Sequence, residues 1–208
     1  MPLYKTIKPN FETIIYVWKI EESFQELFYN VELNENNLQR LNGMKSELHQ
    51  RGFLSVRHLL KKAGYTDFDL YYTNNGKPHL KDEKHISITH SFNFSAIAIS
   101  DNEIGVDIEK NREKIKRIAH KFTNNEAPFL KDKNIIEQLT VLWGAKESLY
   151  KIYPYEGLSF KKHIPIQDFD LKDNKTVGWI KTTDRNKKYD IRFEQVENFT
   201  LVYALDIL

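Results

Sequence analysis

The chain has 208 residues, 40% of them hydrophobic and 29% charged, which predicts a folded globule of one domain or of two modest ones. It contains no cysteine, so disulfides, thiolate zinc sites and a cysteine nucleophile are excluded. The net charge of +2 does not require a nucleic acid as partner, and no segment approaches the roughly 18 apolar residues of a membrane span. Residues 1–10 lack the apolar stretch of a signal peptide, so we expect a cytoplasmic protein without membrane or nucleic-acid partners.

The first half of the chain predicts strands separated by helices. β-Branched and aromatic residues indicate the strands, and apolar residues at helical spacing indicate the helices. Gly43 or Gly52 can interrupt the longer helix, and the polar segment His90–Phe94 between the last two strands predicts a binding loop. The predicted strands are residues 13–20, 68–72, 85–89 and 95–100, and the predicted helices are residues 21–29 and 35–62.

The second half begins with a strand over residues 104–109 and ends in an antiparallel set. Its predicted helices are residues 114–122 and 134–152, and its later strands are residues 178–183, 189–196 and 199–205. Because each half ends in a strand, turn and strand, the element order predicts an α+β duplication. The two similar subdomains would be residues 1–102 and 103–208, each an antiparallel sheet packed with helices, with a site in the cleft between them. The alternative is one irregular α+β domain.

Two carboxylates stand two residues apart at the end of an apolar run. In a strand, Val106 and Ile108 can face a core while Asp107 and Glu109 project from the opposite face toward one cation. The competing interpretation is the exposed face of an edge strand.

A downstream helix offers a third carboxylate and two ammonium groups. Their spacing is i, i+3, i+4, i+7, i+8, which predicts that they share one helix face. The residues are Trp143, Lys146, Glu147, Tyr150 and Lys151. The competing interpretation is an exposed Glu147–Lys151 pair, which stabilises a helix by only about 0.3–0.5 kcal/mol.

These donor types predict a magnesium site, with manganese as a substitute, because hard oxygen ligands without sulfur or imidazole suit those ions. Magnesium completes its coordination with water and phosphate oxygens, so the neighbouring lysines predict a phosphorylated ligand and phosphoryl transfer. Lys146 or Lys151 would stabilise charge on the phosphate.

The chain resembles the 4'-phosphopantetheinyl transferases, in particular the surfactin-synthetase-activating type. That family has a Gly-x-Asp-x-Glu strand followed by Trp-x-x-Lys-Glu-x-x-x-Lys, and both patterns occur here in order. Further matching segments are residues 76–78, 88–91 and 122–126. Thr89 replaces a usual serine, Gly144 stands where serine or cysteine is common, and Pro128 puts the placement of Glu126 in question.

The resemblance implies a pseudo-twofold α+β fold, monomeric, that binds coenzyme A and Mg²⁺. It implies transfer of the phosphopantetheine arm to a serine of an apo acyl or peptidyl carrier protein, with release of adenosine 3',5'-bisphosphate. Asp107, Glu109 and Glu147 would hold the metal against the coenzyme A diphosphate, and Lys151 would contact the same phosphates.

The resemblance also implies an upstream site for the adenosine and its 3'-phosphate. Lys77 and His90 would line it, with the Thr89 hydroxyl beside them. Arg51 and Arg57 lie on different sides of a straight helix, so one at most reaches the phosphate. We favour Arg51 for that role and expect Arg57 at the surface.

A base must accept the proton of the carrier serine, and three candidates stay open. Glu126 is favoured, because a carboxylate bound to magnesium, as expected for Glu147, is a poorer base; a metal-bound water is the third. Glu126 also fits a capping box that begins at Thr123.

Two other functional classes compete. A metal-dependent nuclease also combines carboxylates and lysines, but here the lysine precedes its glutamate on a helix and the overall charge is only weakly basic. A decayed coenzyme A or carrier-binding module would lack a metal ligand or phosphate lysine, and none is missing.

Overall fold

The computed structural model describes residues 3–153, 155 and 157–207 and divides into two compact units, Met1–Asp101 and Asn102–Leu208. Each unit is an antiparallel sheet packed against helices, which confirms the predicted α+β class. None of the helices in these described ranges is both long enough and apolar enough to cross a membrane.

The first unit is built on a four-stranded antiparallel sheet with the order β1-β2-β6-β5, and β3 and β4 form a separate two-stranded sheet. Its long helix α3 packs apolar residues such as Leu54 and Leu60 against Ile97 and Ile99 of the sheet. The elements are β1 (Leu3–Ile7), β2 (Thr13–Lys19), α1 (Phe24–Tyr29), α2 (Glu35–Asn42), α3 (Glu47–Lys62), β3 (Leu70–Tyr72), β4 (Pro78–Leu80), β5 (His85–Ser91) and β6 (Phe94–Ser100).

Local signals explain the helix boundaries of this unit. Helix α1 begins at a reciprocal capping box, in which the Ser23 hydroxyl accepts from the Glu26 N–H and the Glu26 carboxylate accepts from the Ser23 N–H. The predicted long helix is interrupted at Gly43, which caps the end of α2, whereas Gly52 lies inside α3 without breaking it.

The predicted loop over residues 90–94 is shorter than predicted. His90 and Ser91 belong to β5, and the Ser91–Phe94 pair closes the hairpin, so only Phe92 and Asn93 form the turn. Phe92 has a φ of 52°, a left-handed conformation that residues with a side chain rarely adopt. His90 is thus held by strand pairing.

The second unit is a four-stranded antiparallel sheet with the order β7-β10-β9-β8, covered by a long helix. Helix α5 packs on β7 and β10, and its Leu142 and Leu149 join Ile191 and Val202 in the core. The elements are β7 (Ile104–Lys110), α4 (Lys114–Phe122), α5 (Ile135–Ile152), α6 (Phe160–His163), β8 (Lys175–Lys181), β9 (Asn186–Val196) and β10 (Phe199–Asp206).

The two units share a three-stranded topology despite dissimilar sequences. In the first, β2 leads into helices and then into the β5–β6 hairpin, whose second strand pairs with β2. In the second, β7 leads into helices and later the β9–β10 hairpin, whose second strand pairs with β7. Strands β1 and β8 are additions at one edge of each sheet. This shared order agrees with the predicted duplication.

Glu103 ties the start of the second unit to strand β9. Its carboxylate accepts hydrogen bonds from Arg185, from the Tyr189 hydroxyl at 2.8 Å and from Lys187 at 3.1 Å. Burial alone would raise the pKa of Glu103, but these donors outweigh it and lower the pKa to about 2.

We predict that Glu103→Gln lowers the melting temperature at pH 7 and that the difference from wild type narrows in acid. Because the folded pKa lies below the ordinary value of 4.5, the carboxylate stabilises the fold above that pH. The stabilisation is lost as the pH falls toward about 2. Thermal unfolding between pH 7 and pH 3 measures the difference in melting temperature.

The matched control is Glu113→Gln, whose exposed ion pair with Lys116 contributes little to stability. A gap that stays constant with pH would contradict the assignment.

Candidate active site

Two glycines allow α5 to lie unusually close to the sheet. A Cβ added at Gly105 on β7 would stand 2.0 Å from the Ser148 carbonyl oxygen of α5. One added at Gly144 on α5 would stand 2.6 Å from Val202 Cγ2 on β10. The Ser148 hydroxyl donates to the Val202 carbonyl at 3.2 Å and fixes the helix at this distance. The Gly105 contact is with backbone, which cannot move aside as a side chain can.

This close packing joins Asp107 of β7 to Lys151 of α5. Lys151 Nζ donates to Asp107 Oδ1 and to the Val106 carbonyl oxygen, both at 2.8 Å. Asp107 is 5% exposed, so the predicted projection of its carboxylate from the strand is correct in direction but ends against the helix. Val106 and Ile108 are fully buried, as predicted.

Glu147 on α5 has a strongly raised pKa. Burial raises the pKa of its carboxyl group to about 7, and the charges of Asp107 and Glu109 add to that rise. The ammonium of Lys151 acts in the opposite direction. Asp107 and Glu109, two of the three predicted metal ligands, therefore repel the charged form of Glu147, the third. A cation among the three would relieve this repulsion.

The donor set fits the predicted divalent cation only as an incomplete cage. Within residues 3–153, 155 and 157–207, no three histidine, aspartate or glutamate side chains form a ready-made metal cluster. Magnesium ordinarily takes only one or two carboxylates from a protein and completes its shell with water and phosphate oxygens. Oxygen donors without a soft ligand therefore suit Mg²⁺ or Mn²⁺ bound together with a phosphorylated ligand.

Lys146 and Glu126 form a buried ion pair, which bears on two predictions. Lys146 Nζ donates to Glu126 Oε1 at 2.6 Å and to the Phe160 carbonyl at 2.9 Å. The two residues are 0% and 2% exposed. This burial disfavours the predicted contact of Lys146 with a bound phosphate and the predicted transfer of the serine proton to Glu126.

The backbone completes the shell around Glu126. Its carboxylate accepts from the N–H groups of Asn124 and Ile166. The Thr123 hydroxyl donates instead to the Ala119 carbonyl, so the predicted capping box is absent. Burial lowers the pKa of Lys146, and the proximity of Glu126 partly offsets that shift. The pair therefore holds the segment after α4 against α5.

The predicted single face of α5 divides into two. Residues five positions apart lie about 140° apart around a helix axis, which separates Lys146 from Lys151. Trp143 and Tyr150 pack with Phe160, with ring centroids 5.4 and 5.6 Å apart, on the side of Lys146. The other side carries Glu147 and Lys151 toward β7.

His90, one of the predicted residues of the first unit, lies against the first half of α3. A Cβ at Gly52 would lie 3.1 Å from the His90 ring, so α3 and β5 approach closely there. The His49 ring lies 6.2 Å from that of His90. Arg51, which precedes Gly52, is half-buried and donates a hydrogen bond to the Ile20 carbonyl at 3.4 Å.

The other predicted residues of this unit differ in accessibility. His90 is exposed, Thr89 is 7% exposed and Lys77 is half-buried in the turn before β4. Burial lowers the pKa of His79, and the charge of Lys77 lowers it further. The Lys77 ammonium therefore lies near the β3–β4 sheet.

Arg57 is structural, and its predicted surface position is wrong. Its Nε donates to Asp67 Oδ1 at 2.9 Å, and its guanidinium lies 3.5 Å from the centre of the Phe53 ring. Only 5% of the residue is exposed. Asp67 also accepts from Asn37, so the arginine belongs to a network that joins α2 to α3.

Sequence reasoning missed three contributors. The Val106 carbonyl holds Lys151, but backbone acceptors leave no trace in residue identity. Ser148 locks α5 to β10, a role that its place in the motif does not indicate. His49 lies 41 positions before its neighbour His90, and no spacing rule joins a helix to a distant strand.

Two surface cavities, of about 380 and 630 Å³, are found in the first unit, around Tyr65 and Tyr72 respectively. Lys77, His90 and Asp107 line neither of them.

Comparison with known proteins agrees with the motifs. The model of the 4'-phosphopantetheinyl transferase superfamily matches residues 103–205. The chain is also 30% identical over 155 residues to the 4'-phosphopantetheinyl transferase gsp of Aneurinibacillus migulanus. The chain belongs to the 4'-phosphopantetheinyl transferase superfamily. The predicted resemblance is thus confirmed.

The superfamily match covers the part of the chain that holds the carboxylate cluster. Residues 103–205 contain β7, the Glu126–Lys146 pair and the whole of α5. The alignment with the gsp protein covers 71% of this chain and 62% of that relative, so the chain spans less than two thirds of its length.

We predict that Gly105→Ala destabilises the fold by about 1–3 kcal/mol or more, because the added methyl group meets backbone that cannot yield. Chemical denaturation measures the change. The control is Gly43→Ala, where the methyl group meets only ordinary contacts at 3.5 Å. Equal stabilities of the two variants would show that α5 can shift away from β7.

We predict that Glu126→Ala destabilises the fold by about 3–5 kcal/mol, because Lys146 is left as an unpaired buried charge. Replacing both partners, as in Glu126→Leu with Lys146→Met, should restore much of the loss. Denaturation of the single and double variants tests this. A Glu126→Ala protein as stable as wild type would return that residue to the candidates for proton transfer.

Proposed function

We propose that this protein is a phosphopantetheinyl transferase. It would transfer the phosphopantetheine arm of coenzyme A to a serine of an apo acyl or peptidyl carrier protein and release adenosine 3',5'-bisphosphate. The observation that carries the proposal is the Asp107–Lys151 contact beside Glu147. It combines carboxylates that suit a metal ion with an ammonium group that suits a phosphate. The superfamily match and the gsp relative, itself named a 4'-phosphopantetheinyl transferase, support it.

A magnesium ion, or manganese in its place, belongs to the proposal. Asp107, Glu109 and Glu147 are the residues that would hold it, because their charges already oppose one another. When bound, the ion supplies neutralisation of the charge on the coenzyme A diphosphate.

Lys151 is the residue that we assign to the diphosphate. Its side chain is 26% exposed, whereas Lys146 is fully buried. An ammonium on a flexible stem can follow the negative charge that moves to the leaving group as the bond between phosphorus and oxygen breaks.

Glu147 and a metal-bound water are the two candidates to which we assign the serine proton. Glu147 is half-buried, and burial raises its pKa to about 7, whereas a cation bound beside it would lower that pKa and favour the water. Glu126, the third candidate, is enclosed in its ion pair.

The adenosine 3'-phosphate is assigned to residues of the first unit. Exposed His90, half-buried Arg51 and Lys77 would supply positive charge, and Thr89 a hydroxyl. His49, whose ring lies near that of His90, joins this set. A dianionic phosphate is bound best by several short charge-assisted hydrogen bonds.

We also propose that the protein acts as a monomer in the cytoplasm. The single chain contains both copies of the repeated strand, helix and hairpin topology. A sequence without cysteine is compatible with a reducing compartment.

The decisive experiment incubates the purified protein with Mg²⁺, coenzyme A and a panel of apo carriers from fatty-acid, polyketide and peptide synthesis. We expect one carrier at least to gain the mass of one phosphopantetheine group, as measured by intact-protein mass spectrometry. No mass gain on any carrier would contradict the proposal.

Variants connect that activity to the site. Asp107→Asn should reduce transfer by at least about 100-fold with little change in stability, because shape is kept and charge is lost. Glu113→Gln, on the exposed side of the same unit, should leave it unchanged. Magnesium-dependent cleavage of plasmid DNA that Glu147→Ala abolishes would favour the nuclease alternative.

A further inference from the structure

Lys151 satisfies Asp107 in the way that a metal ion would. Its Nζ lies 2.8 Å from Asp107 Oδ1 and 2.8 Å from the Val106 carbonyl oxygen. Both bonds are charge-assisted and short, and they are made where water has little access, since the Asp107 side chain is only 7% exposed. The lysine therefore neutralises this carboxylate from within the protein.

The same two residues carry different roles in the proposed reaction. Asp107 is assigned to the cation and Lys151 to the diphosphate. A magnesium ion binds carboxylate oxygen at roughly 2.0–2.1 Å, and an ammonium already on that oxygen would repel it strongly at such short range. Asp107 Oδ1 thus serves the lysine or the metal.

The lysine side chain, rather than the helix, is the part with room to move. A Cβ at Gly144 would meet Val202, and the Ser148 hydroxyl donates to the Val202 carbonyl, so α5 is held close to the neighbouring strand β10. The Lys151 side chain lies near the end of that helix and is 26% exposed, so rotation of its four-carbon stem can carry the ammonium outward. Lys146, enclosed on the other side of the helix, lacks that freedom.

We propose that Lys151 is a displaceable internal cation. It pairs with Asp107 until a divalent cation binds, and its side chain then rotates so that the ammonium contacts the diphosphate of coenzyme A. The second step rests on the function proposed above, and the first stands without it. In this role Lys151 acts on metal binding through Asp107 as a positioning residue.

The exchange makes metal binding and coenzyme A binding cooperative. Without coenzyme A, the cation displaces the lysine from Asp107 Oδ1 and leaves its ammonium to water. With coenzyme A, the diphosphate offers a charged acceptor in place of water, so each ligand raises the affinity for the other by the same factor.

The first test measures Mn²⁺ binding to the protein without coenzyme A, by electron paramagnetic resonance of the free ion. Lys151→Met should bind Mn²⁺ about tenfold more tightly than wild type, because the ion no longer competes with a charge-assisted hydrogen bond. The matched control is Lys110→Met, which removes the same charge from the end of β7, where the ammonium lies over the Phe199 ring. It should change the affinity less than twofold.

A double-mutant cycle shows whether Asp107 transmits the effect. In the Asp107→Asn background, Lys151→Met should no longer tighten Mn²⁺ binding, because the contested carboxylate is gone. Equal affinities of wild type and Lys151→Met, or equal gains from Lys151→Met and Lys110→Met, would overturn the proposal. Lys151→Gln takes the place of the methionine variant if the latter does not fold.

The second test adds coenzyme A. Coenzyme A should tighten Mn²⁺ binding more in wild type than in Lys151→Met, because the variant has no ammonium that could move to the diphosphate. Failure of carrier modification would remove the proposed reaction but would leave the Mn²⁺ comparison intact. An identical effect of coenzyme A in both proteins would restrict the lysine to holding Asp107.

Discussion

The contact of α5 with strands β7 and β10 is the constraint on which the rest of the second unit depends. Gly105 removes a side chain from β7, Gly144 removes one from the helix where it meets β10, and the Ser148 hydroxyl bonds to the Val202 carbonyl of β10. At this separation a lysine on the helix reaches both a carboxylate and a carbonyl of β7. The glycine of the Gly-x-Asp-x-Glu pattern is therefore part of the site's geometry, although it bears no reactive group.

The helix α5 uses its two lysines for opposite purposes. Lys146 is buried with Glu126 and ties a preceding segment to the helix, where an unpaired charge would be strongly destabilising. Lys151 pairs with Asp107 but stays partly exposed. The two lysines are five positions apart, and the helical twist places one in the core and the other at the partly exposed edge of the carboxylate cluster.

The two units share a strand, helix and hairpin core, yet they present different chemistry. The second concentrates carboxylates on β7 and its helix, whereas the first has a histidine pair and an arginine around α3. Close approach of the long helix to the sheet recurs in both, at Gly105 in one and at Gly52 against His90 in the other. The repeated scaffold therefore carries unlike side chains in its two copies.

The sequence by itself determined the class of fold, most element positions and the paired carboxylates, because strand alternation and helical spacing are local properties of the chain. Superfamily membership followed from motifs that keep their order. Only the tertiary structure decided that Glu126 and Lys146 form a core pair, that Arg57 is buried with Asp67, and that Lys151 holds Asp107. Burial and partner choice arise from contacts between distant segments. A charged residue facing solvent and one facing a counter-ion in the core have the same letter in a sequence, and only packing separates them.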